Sequence, residues 1–190
     1  MHISNTDKTR SIEDSMAIQI IYLDMDGVLF DFVGSVTKKI EQLPEIDLKK
    51  PIHKWFGMSA TKFWKYTDTM EFWTNMGLYP GVKTLVERLN IKYKVYFCST
   101  PTLCPYSVSG KLFAIQKHFP GLHRNFVFTP AKELLVDNNT IFIDDRFQVT
   151  EKIDLMIKKN NCYNAKTFLV KRAWNRSQNT FEDIVNMLTR

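Results

Sequence analysis

Cysteine is scarce in this chain of 190 residues: Cys98, Cys104 and Cys162 are the only three, an odd number that cannot pair completely. A disulfide scaffold is therefore excluded, and such a sparse set reads as reduced thiols in a cytoplasmic protein. Seven glycines and seven prolines are too few for a collagen-like or low-complexity chain. Long apolar runs are also missing. The longest, Met16 to Leu23, is broken by Gln19 and falls well short of the ~20 residues that span a bilayer. The first fifteen residues are polar and of mixed charge, unlike a secretory signal, and lack periodicity, so they are expected to be a mobile extension. Met16 is an alternative start of the folded chain.

What remains is the composition of an ordinary globular domain, with 44% hydrophobic residues and a net charge of +6. The excess is uneven. Residues 146–190 hold nine basic and four acidic side chains, net +5, whereas the first 145 residues carry only +1. Such a field favours anionic ligands, although a solvated helix face gives the same pattern. A zinc site is disfavoured, because five residues separate Cys98 from Cys104 ahead of His118 and His123, where two to four are expected.

Short β-branched runs at residues 18–23, 94–98, 125–128, 140–143 and 167–170 alternate with helical periods such as Val82, Leu85, Val86 and Leu89, or Phe181, Ile184, Val185 and Leu188. This alternation predicts an α/β fold, a doubly wound parallel sheet covered by helices on both faces. More than fifty residues after the first strand contain no strand pattern. Within them, 35–76 reads as an inserted helical unit in a core formed by 16–34 and 77–190. The insertion is aromatic: Trp55, Phe56, Phe63, Trp64, Phe72 and Trp73 fall inside it, either as its own small core or as a surface for a flat ligand.

Two acidic strand ends carry the chemistry. Leu23-Asp24-Met25-Asp26-Gly27 closes the first strand, and Ile143-Asp144-Asp145-Arg146 closes a later one. Ligand sites in open α/β sheets lie at the carboxyl ends of strands. Four carboxylates at one edge repel one another unless a cation is bound, and a hard divalent ion with oxygen ligands, most simply Mg²⁺, answers that cost. A calcium loop fits poorly, since Gly27 is the fourth residue from Asp24 and Val28, Leu29 and Phe30 follow. Between the acidic pairs stand Ser99-Thr100-Pro101 at the end of a middle strand, and Lys132, twelve residues before Asp144.

In that order, Asp-x-Asp, then a hydroxyl, then Lys, then Asp-Asp, the series resembles the haloacid dehalogenase superfamily of phosphotransferases over residues 18–175. Asp24-Met25-Asp26-Gly27-Val28-Leu29 with Asp31-Phe32, Pro80-Gly81-Val82, Phe97-Cys98-Ser99-Thr100-Pro101, Cys104-Pro105-Tyr106 with Lys111, and Ile143-Asp144-Asp145-Arg146 are similar to motifs of the 5'(3')-deoxyribonucleotidases. Thr129-Pro130-Ala131-Lys132 stands where that family commonly has Thr-Arg-Asp-Lys.

The resemblance implies a Mg²⁺-dependent phosphatase of deoxyribonucleoside monophosphates. Asp24 is then the nucleophile and Asp26 the acid and base. Asp24, Asp26 through its carbonyl, Asp144 and Asp145 serve the metal, while Ser99, Thr100, Lys111 and Lys132 face the phosphoryl group. Phe32 is the leading pocket residue, with Trp55, Phe56, Phe63, Trp64, Phe72 and Trp73 as further candidates for the nucleoside. A 3'-phosphate at a nucleic-acid end or a sugar phosphate is the alternative ester, and a basic binding or scaffold protein with a degenerate site the alternative class. No nucleic-acid-binding motif is recognisable, so neither nucleic acid nor membrane is an expected partner, and the chain is expected as a monomer or homodimer.

Overall fold

A computed structural model of the protein describes residues 19–190; the polar stretch 1–15 and Met16 lie outside the described residues. After β1 (Ile20–Leu23) come four short helices, α1 (Phe32–Ile40), α2 (Ile52–Trp55), α3 (Ala60–Lys65) and α4 (Met70–Thr74). Strand and helix then alternate, with only the 3-10 turn Lys132–Leu135 between β3 and β4, through α5 (Val82–Lys92), β2 (Lys94–Ser99), α6 (Tyr106–His118), β3 (Phe126–Phe128), β4 (Thr140–Asp144), α7 (Phe147–Lys159), β5 (Lys166–Leu169) and α8 (Phe181–Thr189).

The five strands are parallel and ordered β3-β2-β1-β4-β5, which is the doubly wound sheet anticipated from the alternation. Parallel neighbours need long crossovers, and the helices supply them. β1 is central, with Leu23 level with Phe97 of β2 and Ile143 of β4. The residues that follow β1, β2 and β4 therefore emerge side by side at one edge. Strand order reverses beside β1, the place where open α/β sheets form their ligand crevice. All five residues of β4 are buried, as a strand covered on both faces requires. No helix among the described residues is long and apolar enough to cross a membrane.

Four to six residues are too few for α2, α3 and α4 to be stable alone, so their order comes from packing. Ser59 and Thr69 cap α3 and α4 by accepting from the backbone N–H of Lys62 and Phe72. Aromatic contacts fill the unit: Phe56 lies against Phe63, Phe63 against Trp64, and Phe32 stacks on Trp73 with centroids 5.6 Å apart. α4 rests on α6 through Gly110, where a Cβ would lie 2.5 Å from the Cβ of Trp73. Residue 34 falls inside α1, so the expected boundary between core and insertion runs through a continuous helix.

α8 packs against α5. Thr180 and Asp183 form a reciprocal cap at its start, and Phe181, Ile184, Val185 and Leu188 are buried. Arg88 of α5 donates to Asn186 and Thr189, and Tyr93 to the carbonyl of Leu188.

Candidate active site

Asp24 leaves β1 with its backbone N–H donating to the carbonyl of Ile143, 2.9 Å away, which locks the turn to β4. The chain then reverses sharply: Leu29 and Phe30 donate to the carbonyl of Met25, and Gly27 donates to Phe30. Gly27 has φ of 81°, and a Cβ there would sit 2.2 Å from Asp145 Oδ2. Only glycine allows the two acidic strand ends to approach so closely.

Asp24, Asp144 and Asp145 are all buried, and each offers a carboxylate oxygen within 4.8 Å of the others. Lys132, brought in by a short 3-10 turn, bridges two of them. Its Nζ lies 2.5 Å from Asp24 Oδ1 and 2.7 Å from Asp144 Oδ2. With Arg146 Nε 3.8 Å from Asp144 Oδ1, two cations face three carboxylates, and the cluster is left short of positive charge. Burial pushes the Asp24 carboxyl up to about 6 against the opposing pull of Lys132. Asp145 is raised well above its ordinary value, by burial first and then by Asp24 and Asp144. Burial works to lower the Lys132 ammonium, but Asp24 and Asp144 outweigh it and hold that group above its ordinary value.

Asp145 Oδ1 is buried without a hydrogen-bond partner. An orphaned carboxylate oxygen beside two further carboxylates is a donor set that fits a hard divalent cation. Asp26 is set apart from this trio. Lys111, fully buried on α6, donates to Asp26 Oδ2 at 2.6 Å and to Ser99 Oγ at 2.8 Å. Thr100 Oγ1 accepts from Arg146 at 3.1 Å, so its hydroxyl is tied to the residue after the acidic pair.

Above these groups opens a cavity of about 1540 Å³ between the sheet edge and the helical unit. Asp24, Asp26, Ser99, Thr100 and Asp145 reach its wall, while Lys111, Lys132 and Asp144 lie beneath it. Of the aromatic candidates, Phe32, Trp55, Trp64 and Trp73 line the cavity. Phe56, Phe63 and Phe72 do not. The expectation that these three face a ligand is corrected: Phe56 and Phe63 are fully enclosed, and Phe72 meets Phe32 and Trp73 edge-on. Cys98 is buried in β2 and its thiol is pushed up to about 12, mainly by burial, which leaves it chemically quiet.

The loop after β5 supplies residues that spacing alone did not single out. Trp174 Nε1 donates to Asp145 Oδ2 at 2.6 Å, and Asn175 Nδ2 donates to the carbonyls of Asp145 and Val170. Arg172 donates to the carbonyls of Gly27 and Val28 and stacks over Tyr79 at 4.0 Å. A tryptophan within the polar run Lys171 to Ser177, the only one outside the insertion, was the available signal.

The family model described as "5' nucleotidase, deoxy (Pyrimidine), cytosolic type C protein" matches residues 18–188. The 5'(3')-deoxyribonucleotidase of Bacillus subtilis is 27% identical over 174 residues, covering 88% of this chain and 94% of that protein. The mitochondrial 5'(3')-deoxyribonucleotidase of Mus musculus is 29% identical over 163 residues, covering 74% of this chain and 70% of that protein. A haloacid dehalogenase-like family hydrolase from Xanthomonas campestris superposes with a TM-score of 0.53 at 11% identity, covering 90% of this chain and 91% of that one, a likeness of fold.

Proposed function

The chain belongs to the deoxy (pyrimidine), cytosolic type C 5'-nucleotidase family, and on that premise we propose that it is a Mg²⁺-dependent phosphatase of deoxyribonucleoside monophosphates that works through an aspartyl-phosphate. The observation that carries this reading is the meeting of Asp24, Asp144 and Asp145 around Lys132 at the floor of the cavity.

In this mechanism Lys132 holds Asp24 Oδ1, and attack falls to Oδ2, which forms a bond to phosphorus as the ester P–O bond breaks. Asp26 gives its proton to the departing alkoxide oxygen. In the second half Asp26 takes a proton from water as that water attacks phosphorus, the acyl phosphate bond breaks, and inorganic phosphate leaves with Asp24 restored. Lys111 orients Asp26 by gripping Oδ2 and donates to Ser99 Oγ, while Ser99 and Thr100 present donors to the phosphoryl oxygens. Asp24, Asp144 and Asp145, with the Asp26 carbonyl, would hold the Mg²⁺, which when bound supplies the positive charge that offsets the nucleophile and the phosphoryl oxygens.

Residues 35–76 act as the cap over a core of 16–34 and 77–190. Phe32 of the core and Trp55, Trp64 and Trp73 of the cap supply the wall for base and sugar. Base stacking on an aromatic ring is worth ~1–3 kcal/mol. An apolar wall at Phe32 leaves a ribose 2'-hydroxyl unpartnered, which favours deoxyribose. Three free cysteines suit a reducing cytoplasm. The test is phosphate release from a panel of deoxy- and ribonucleoside monophosphates, with Mg²⁺ and with chelator. Release confined to deoxynucleotides and dependent on Mg²⁺ is expected; no release from any nucleotide would overturn the reading.

A further inference from the structure

Trp174 stands on the loop after β5, far from the acidic motifs in sequence, yet its indole N–H reaches Asp145 Oδ2 at 2.6 Å. The other oxygen of that carboxylate, Oδ1, is buried and accepts no hydrogen bond. A carboxylate with one oxygen pinned and one oxygen bare cannot rotate freely, and this one belongs to the cluster with Asp24 and Asp144.

The loop is itself braced. Asn175 Nδ2 ties the carbonyl of Asp145 to that of Val170 at the end of β5, and Arg172 grips the carbonyls of Gly27 and Val28 in the turn that carries Asp24. One short segment thus holds both acidic strand ends in register. The Trp174 ring also meets Trp55 of the helical unit, with centroids 6.1 Å apart, which fixes the indole plane from the side opposite the sheet.

We infer that Trp174 is a positioning residue for the cation: its N–H orients Asp145 so that Oδ1 is presented to the metal. The inference rests on the proposed metal reading. Hydrogen-bond donors behind a ligating carboxylate set its rotamer, and their removal typically weakens metal binding by about 10- to 100-fold. Trp174→Phe keeps an aromatic ring on the side of Trp55 and removes the N–H donor together with the fused second ring.

The experiment is calorimetric titration of the full chain with Mg²⁺ alone, without substrate, alongside circular dichroism. The expected result is a native spectrum with Mg²⁺ affinity reduced by about 10- to 100-fold, and activity regained at higher Mg²⁺. Unchanged Mg²⁺ affinity in a folded Trp174→Phe protein would overturn the inference. Should that variant fail to fold, benzothienylalanine at position 174 replaces the N–H by sulfur in an indole-shaped ring, and wild-type affinity in that protein overturns it equally. A wild-type chain that binds no Mg²⁺ also overturns it. Phosphate release by the wild type is scored separately, so loss of this inference leaves the hydrolase reading standing.

Discussion

Lys111 Nζ lies 2.6 Å from Asp26 Oδ2, a contact between residues 85 apart in sequence that joins α6 to the turn after β1. The ammonium is completely enclosed and also sits 4.8 Å from the centre of the Trp73 ring. It thereby links the proposed acid and base, the hydroxyl of Ser99 and the helical unit. Lys111→Met is expected to lower turnover of every ester while leaving Mg²⁺ affinity close to wild type, because Lys111 grips the Asp26 side chain, which stands outside the carboxylate trio, and not its carbonyl. Equal titrations with Mg²⁺ and unequal rates would bear this out; normal rates would refute it.

Asp24→Asn removes the oxygen proposed to accept phosphorus. Turnover should fall by on the order of 10⁴-fold or more, with the circular dichroism spectrum retained. Near-normal activity in the variant would end the aspartyl-phosphate mechanism.

The raised carboxyls make a prediction about pH and metal together. Asp24 titrates at about 6 in the fold, and burial also raises Asp145, whereas both titrate near the ordinary value of about 4 when unfolded. Across that window the folded state holds protons that the unfolded chain has released. Their contribution to stability therefore declines as pH rises from 4 through the folded values. Above it the charged trio awaits a cation, so the increase in melting temperature with Mg²⁺ should be larger at pH 8 than at pH 5. An equal increase at both would contradict the trio as the binding site.

Lys132 is nearly fully buried between two carboxylates, and breaking such a pair typically costs ~3–5 kcal/mol. Lys132→Ala should destabilise the metal-free protein by about that amount and lower activity towards all phosphate esters alike. Denaturant unfolding and rates on two unrelated esters check it. Loss confined to one nucleotide would show a role in substrate choice instead.

Phe32 and Phe63 separate pocket from packing. Phe63 is fully enclosed and off the cavity, so Phe63→Ala should cost ~3–5 kcal/mol and reduce nucleotide and aryl phosphate hydrolysis in parallel. Phe32 both stacks on Trp73 and lines the cavity, so Phe32→Ala should add a selective loss on the nucleotide, since binding energy from the non-reacting part is what that wall supplies. Identical rate patterns in the two variants would remove Phe32 from the pocket.

The sheet was legible because parallel strands buried on both faces are short apolar runs, and β4 is the clearest case. The acidic groups were legible because strand ends in such a sheet gather at one edge. Phe56, Phe63 and Phe72 were not separable from Trp55 and Trp64: composition marks an aromatic unit, but which ring points inward depends on how α2, α3 and α4 pack, and helices of four to six residues carry too little periodicity to tell. Trp174 and Arg172 were hidden for another reason. They act from a loop, where no period exists, on partners about 30 and 145 residues away.

The van der Waals gap at Gly27 has an evolutionary corollary. An alanine methyl there would overlap Asp145 Oδ2, and the φ of 81° adds a backbone penalty. Any side chain at this position therefore meets a steric and a backbone cost at once, even though glycine contributes no functional group. In a saturation library selected for phosphate release, position 27 should be as intolerant as Asp24 itself, an empty space under the same purifying selection as the nucleophile.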